Sequence, residues 1–95
     1  MKYMADEMLE ELPEILRKDG IDCRTAHEWI DGAKQKKRVI KDYEIRKFLA
    51  KRRAEGEEIT LITNDGDSWE QVQADGLPVI YVPNLVRAYI LSKRG

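Results

Sequence analysis

The sequence predicts an α/β fold of three layers, a four-stranded, mainly parallel sheet in the order 2-1-3-4 between helices. Three observations lead there. Short apolar or β-branched runs alternate with stretches of helical periodicity, the pattern of strand–helix–strand units. The run Ile59-Thr60-Leu61-Ile62-Thr63 is apolar or β-branched throughout, as a strand covered on both faces requires. Right-handed crossovers then restrict the layout: with strand two on one side of strand one and strand three on the other, the winding reverses between strands one and three.

The elements follow in order. Strand one is expected over residues 2 to 5. A helix follows, with Met8, Leu9, Leu12, Ile15 and Leu16 at helical spacing. Pro13 inside it removes a backbone donor and predicts a kink or a late start. Gly20 is positioned to cap it, and strand two is expected at about residues 21 to 25. Residues 26 to 41 hold few large apolar side chains, with Gly32 among them, and read as a short turn of helix followed by a mobile basic loop. Asp42 is the expected N-cap of the next helix, in which Ile45, Phe48, Leu49 and Arg52 share a face. Arg52 and Arg53 suit its negative pole, and Gly56 can stop it. After strand three, Ser68 and Gln71 have capping-box spacing for a short helix containing Trp69 and Val72. Gly76 ends that helix, and Pro78 opens a last strand over residues 79 to 82. Asn84 is the expected cap of a closing helix with Leu85, Val86, Tyr89 and Ile90 on one face.

Ninety-five residues make one domain, 1–95. No apolar run approaches the ~18 residues of a membrane helix, and Met1-Lys2-Tyr3-Met4-Ala5-Asp6 lacks the apolar region of a signal peptide, so a cytoplasmic chain away from membranes is expected. The lone Cys23 permits no intramolecular disulfide and reads as a buried strand thiol. The lone His27 has no partners for a triad or zinc centre and reads as surface or structural. No glycine-rich phosphate loop is present. The net charge of −1 hides a separation: ten basic residues and two acids lie between Lys34 and Arg53. That pattern fits one basic face and one acidic site, or simply a solvated helical surface.

The candidate chemistry lies at the strand ends. Strand one runs into Asp6, and strand three into Asp65 and Asp67. In the predicted strand order all three face the switch point, where open α/β sheets bind ligands, and Asp42 can reach it. Clustered carboxylates raise one another's pKa unless a cation neutralises them, and hard oxygen donors suit Mg²⁺ or Mn²⁺. Such a metal can activate water and stabilise in-line attack on a phosphodiester. The other reading is structural: Asp6, Asp42 and Asp67 each precede a predicted helix as ordinary caps, and Asn64-Asp65-Gly66 is a common turn sequence.

Met4-Ala5-Asp6 followed by Met8-Leu9, Leu12, Leu16-Arg17 and Gly20-Ile21-Asp22 resembles the opening of short PIN-like proteins. Asp42-x-x-Ile45, then Leu61-Ile62-Thr63-Asn64-Asp65-Gly66-Asp67, resembles the second half of the pattern, and the likeness spans about residues 2 to 82. The resemblance implies a divalent-metal-dependent endoribonuclease, often the toxin of a toxin–antitoxin pair. It also implies Asp6, Asp42 and Asp65 as metal ligands, with Asp67 a ligand or the residue that positions water. Lys34, Lys36, Lys37, Arg38 and Lys41 would grip the RNA backbone, with Trp29 and Tyr43 beside them. RNA is the expected partner, with an antitoxin protein and a homodimer as further expectations. Larger members carry another glutamate on a middle helix, for which Glu28 and Glu44 are the nearest candidates, and an aromatic where Ser68 stands. The alternative is therefore a catalytically inactive PIN-like module that binds RNA or protein.

Overall fold

In the computed structural model, which describes Met1 to Arg94 (the side chains of Leu85, Ile90, Lys93 and Arg94 excepted), four strands lie side by side. They are β1 (Lys2–Ala5), β2 (Asp22–Thr25), β3 (Ile59–Thr63) and β4 (Val79–Tyr81), in the order β2-β1-β3-β4. Every pairing is parallel. The expected order is found, and the sheet is wholly parallel. The β1–β3 register sets Lys2 opposite Ile59 and Ala5 opposite Ile62, so positions 6 and 63 come next to each other at the carboxyl edge.

Four helices pack on the sheet, α1 (Leu12–Lys18), α2 (Ala26–Asp31), α3 (Asp42–Ala54) and α4 (Gly66–Ala74), and α5 (Asn84–Arg94) follows the last strand. Side-chain alternation along the strands divides the core in two. Met4, Ile59 and Leu61 pack with Trp29, Ile45, Leu49 and Val72 from α2, α3 and α4. Ala5, Cys23 and Ile62 face the other way, onto Leu9 and Leu12. The winding reverses at β1, so right-handed crossovers send α1 to one face and α2 to α4 to the other.

Several helix ends are set by particular residues. Pro13 sits in the first turn of α1, where its missing N–H costs nothing, so the helix starts late, after a single 3₁₀ turn at Glu7–Leu9. The tighter turn rotates Met8 away from the apolar face expected for it, and it is 48% exposed. Gly56 stops α3 with φ of 89°, a conformation that strains residues with a Cβ. Asp42 does not cap α3. It is the first helical residue, and the helix is closed instead by Glu44, whose carboxylate accepts the Lys41 N–H at 2.9 Å. Ser68 is not a cap either: α4 begins at Gly66 and Ser68 is a buried residue of its first turn. Asp67 is likewise inside α4, and the capping carboxylate belongs to Asp65. Asn84 is the first residue of α5, and β4 stops at Tyr81, one residue short of expectation. Of the apolar face expected on α5, Leu85 and Ile90 lie outside the described side chains, while Val86 and Tyr89 are exposed.

The segment after β2 is better ordered than its composition suggested. Thr25 and Glu28 form a capping box at the start of α2, with Thr25 N–H donating to Glu28 at 3.0 Å. Trp29 is buried, and its indole N–H donates to the Tyr3 carbonyl at 2.8 Å, so packing is its role. His27 is also buried, with Nε2 3.2 Å from the Lys34 carbonyl oxygen, which makes it structural. Cys23 is buried as expected, and burial pushes its thiol up to about 11, leaving it unreactive at neutral pH. No helix among the described residues is long and apolar enough to cross a membrane.

Candidate functional site

The carboxyl ends of β1 and β3 meet through one hydroxyl. Because the register brings positions 6 and 63 together, Thr63 Oγ1 donates to Asp6 Oδ2 at 2.7 Å. The same oxygen accepts the Asp65 backbone N–H at 3.0 Å. Thr63 is fully buried, so this bridge is shielded from water. The other Asp6 oxygen, Oδ1, accepts the Glu7 N–H at 2.6 Å and starts the 3₁₀ turn. Asp65 Oδ1 accepts the Asp67 N–H at 2.9 Å and starts α4. Next to Thr63, the buried Asn64 donates to the Val82 carbonyl at 2.6 Å and ties β3 to the chain leaving β4.

Asp42 arrives from above. Since α3 runs antiparallel to the strands, its first residue comes to the carboxyl edge. Asp6 and Asp42 line one narrow crevice of about 10 Å³, room for about one water. Its floor is Leu61, Ile45 and Val72, and Arg46, Ser68 and Gln71 complete the wall. Arg46 is held by Asp75, with nitrogen–oxygen distances of 2.7 and 2.8 Å.

Burial pushes the Asp6 carboxyl above its ordinary value of 3.8, and the negative charges of Asp42 and Asp65 push the same way. The Thr63 hydroxyl and the Glu7 N–H oppose the shift without cancelling it. A carboxyl whose pKa is raised by folding contributes stability that is complete below its unfolded pKa and is lost as pH rises through the folded value. Asp6→Asn keeps an equally good N-cap and removes the charge. The variant is therefore expected to gain stability over the wild type as pH rises from about 4 towards neutrality. Urea denaturation at pH 3.5 and pH 7 checks this, and an equal effect at both would contradict the assignment.

Of the four aspartates read from the sequence, Asp42 and Asp65 each come within electrostatic reach of Asp6. Asp67 is exposed in the first turn of α4 and contributes its backbone N–H. Among the described residues, no three His, Cys, Asp or Glu side chains converge as a metal cage. The crevice has no room for a Mg²⁺ or Mn²⁺ ion with its several waters, so such an ion would have to sit at the open mouth, where Asp42 is exposed. Asp6 and Asp42 are the two carboxylates that line the crevice. Each carboxylate oxygen also has a lone pair beyond the hydrogen bond it accepts.

The basic loop comes to the same edge. Glu7, adjacent to Asp6, accepts the Ile40 N–H at 3.3 Å and pairs with Lys36 at 3.1 Å. Arg38 is clasped between Asp31 and Glu44, both at 2.8 Å, so it holds the loop to α3. Lys34, Lys37 and Lys41 remain exposed. Glu28 and Glu44 both serve as caps, away from the crevice. Sequence reasoning missed Thr63, Glu7 and Arg46. A polar residue ending the central strand, in register with Asp6, was the signal for Thr63. Glu7 and Arg46 have no local signal, because their partners lie 29 or more positions away. Compared with models of known protein families, with curated protein sequences and with solved structures, the chain matches none.

Proposed function

We propose that this chain is a PIN-like, divalent-metal-dependent endoribonuclease that holds Mg²⁺ or Mn²⁺ between Asp6 and Asp42, with Asp65 adjacent. The observation that carries the reading is the juxtaposition at the switch point: a raised, half-buried Asp6 and Asp42 on one crevice, with a basic loop fastened beside them through Glu7. A bound cation would relieve the repulsion among the carboxylates, polarise a phosphoryl oxygen and lower the pKa of a bound water. Lys34, Lys37 and Lys41 would hold the phosphate backbone, with Lys36 giving part of its charge to Glu7. A role as the toxin of an antitoxin-controlled pair in the cytoplasm belongs to the same proposal.

The test is cleavage of a labelled single-stranded RNA by the full chain with and without Mg²⁺ or Mn²⁺. Asp42→Asn is expected to lower metal-dependent cleavage by about 100-fold or more. Unchanged cleavage in Asp42→Asn and Asp65→Asn would end the enzyme reading. The second reading, a non-catalytic RNA-binding module, is favoured by the absence of a converged three-ligand group among the described residues. Salt-dependent RNA binding without cleavage in either metal would select it.

A further inference from the structure

Asp42 has a cation within reach and is not paired with it. On a helix, side chains three and four positions apart are neighbours, about 5–6 Å between Cβ atoms, and an acid four residues before a base is the favourable order for an ion pair. On α3 those positions after Asp42 are Ile45 and Arg46. Arg46 shares the crevice wall with Asp42 and lies within reach of its charge. Among the described residues, no cation pairs with the Asp42 carboxylate. The guanidinium turns to Asp75 instead, and both Nε and Nη2 donate to that one carboxylate. Two such bonds fix the plane of the group, which a single contact does not. Asp75 directly follows α4, where a carboxylate meets the unfavourable, negative pole of the helix. Helix capping therefore does not account for an acid there, whereas the pair with Arg46 does.

From this we infer that Asp75 is a positioning residue: it holds Arg46 off Asp42, so that the carboxylates of the crevice stay open to a divalent cation. The inference rests on the proposed metal site for the identity of the ligand. If Arg46 turned back along its own helix onto Asp42, the guanidinium would take the exposed mouth where a hydrated ion has to sit. It would also neutralise the charge that attracts the ion. Held by Asp75, Arg46 forms a pair that is neutral as a unit. Asp75 stands 33 positions after Asp42, so the local sequence around the crevice carries no sign of this role.

The test is Mn²⁺ binding to the full chain, followed through the electron paramagnetic resonance of the free ion, in about 0.15 M salt to screen the distant charge of Asp75 itself. Asp75→Asn is expected to weaken binding by about 10-fold, the scale on which losing an orienting group affects a metal site. Asp75→Glu keeps the charge and is expected to recover most of that loss. Arg46→Gln is expected to bind at least as tightly as the wild type, and Asp75→Asn added to it to change nothing further. Both side chains are partly exposed and such ion pairs contribute little to stability, so every variant is expected to fold. A pair that only fastens α3 to α4 gives a different pattern: both single variants bind more weakly and the double variant does not recover. That pattern overturns the inference. The two proposals fail separately. Mn²⁺ bound equally by the wild type and Asp75→Asn leaves the metal site without the positioning role. If no variant binds Mn²⁺, the metal reading ends, and a crystal structure of Asp75→Asn judges the positioning alone: the Arg46 guanidinium within hydrogen-bond reach of Asp42 upholds it, and a guanidinium anywhere else overturns it.

Discussion

Leu61→Ala is expected to destabilise the fold by about 3–4 kcal/mol, within the usual range for a buried leucine truncated to alanine. Leu61 is 2% exposed in the central strand, packs into the larger core and floors the acidic crevice. For a domain of this size, with total stability on the order of 10 kcal/mol, that is a large fraction. The substitution should also open the crevice to water. Since burial is the main reason the Asp6 carboxyl sits high, its pKa should move back towards the ordinary range. Urea denaturation gives the first effect, and carboxyl-carbon NMR titration of Asp6 gives the second. Leu61→Met, which conserves volume, should cost less than about 1.5 kcal/mol and serves as the control. A Leu61→Ala variant as stable as the wild type would mean that the floor of the site is not a packed core.

Thr63→Val is expected to cost about 3 kcal/mol and to unsettle the site without changing the strand. Valine is nearly isosteric and equally suited to a strand, so the change isolates the hydroxyl. Two groups lose their partner at once: Asp6 Oδ2 loses its donor and the Asp65 N–H its acceptor. Hydrogen bonds to charged groups contribute more than neutral ones, and a buried group left unsatisfied keeps its full desolvation cost. The hydroxyl also favours ionised Asp6, so its loss should raise that carboxyl further and move the pH-dependent loss of stability to higher pH. Denaturation across pH 4 to 8 would detect both. A loss below about 1 kcal/mol with an unshifted titration would show that the bridge contributes little.

Much of the fold could be read from residues because its signals are local. The β-branched run at Ile59 to Thr63, the proline in the first turn of α1 and the glycine after α3 each act through their own backbone, and the handedness of crossovers ordered the strands. The cap assignments went differently because a cap is decided by which side chain reaches an orphan N–H. At α3, Glu44 reaches back and leaves Asp42 free for the crevice. At α4, Asp65 takes the cap and Ser68 is drawn into the interior. Thus Asp42 loses the structural explanation that sequence allowed it, while Asp6 and Asp65 have structural duties as well as a place at the switch point. The loop before α3 resisted reading because Glu7, Asp31 and Glu44 order it through side chains, and no periodicity records such contacts.

The Thr63–Asp6 bridge joins residues 57 positions apart, across the pairing of the first strand with the third. During synthesis, the amino-terminal half of the crevice emerges long before the residue that fastens it. Asp6 must wait, solvated and unconstrained, until Thr63 is available. Assembly of the site is therefore a late event with a high loop-closure cost, coupled to docking of the central strand. A fragment ending before Thr63 retains Asp6, Asp42 and the basic loop with its ties to Glu7, but lacks the hydroxyl that joins Asp6 to the Asp65 turn.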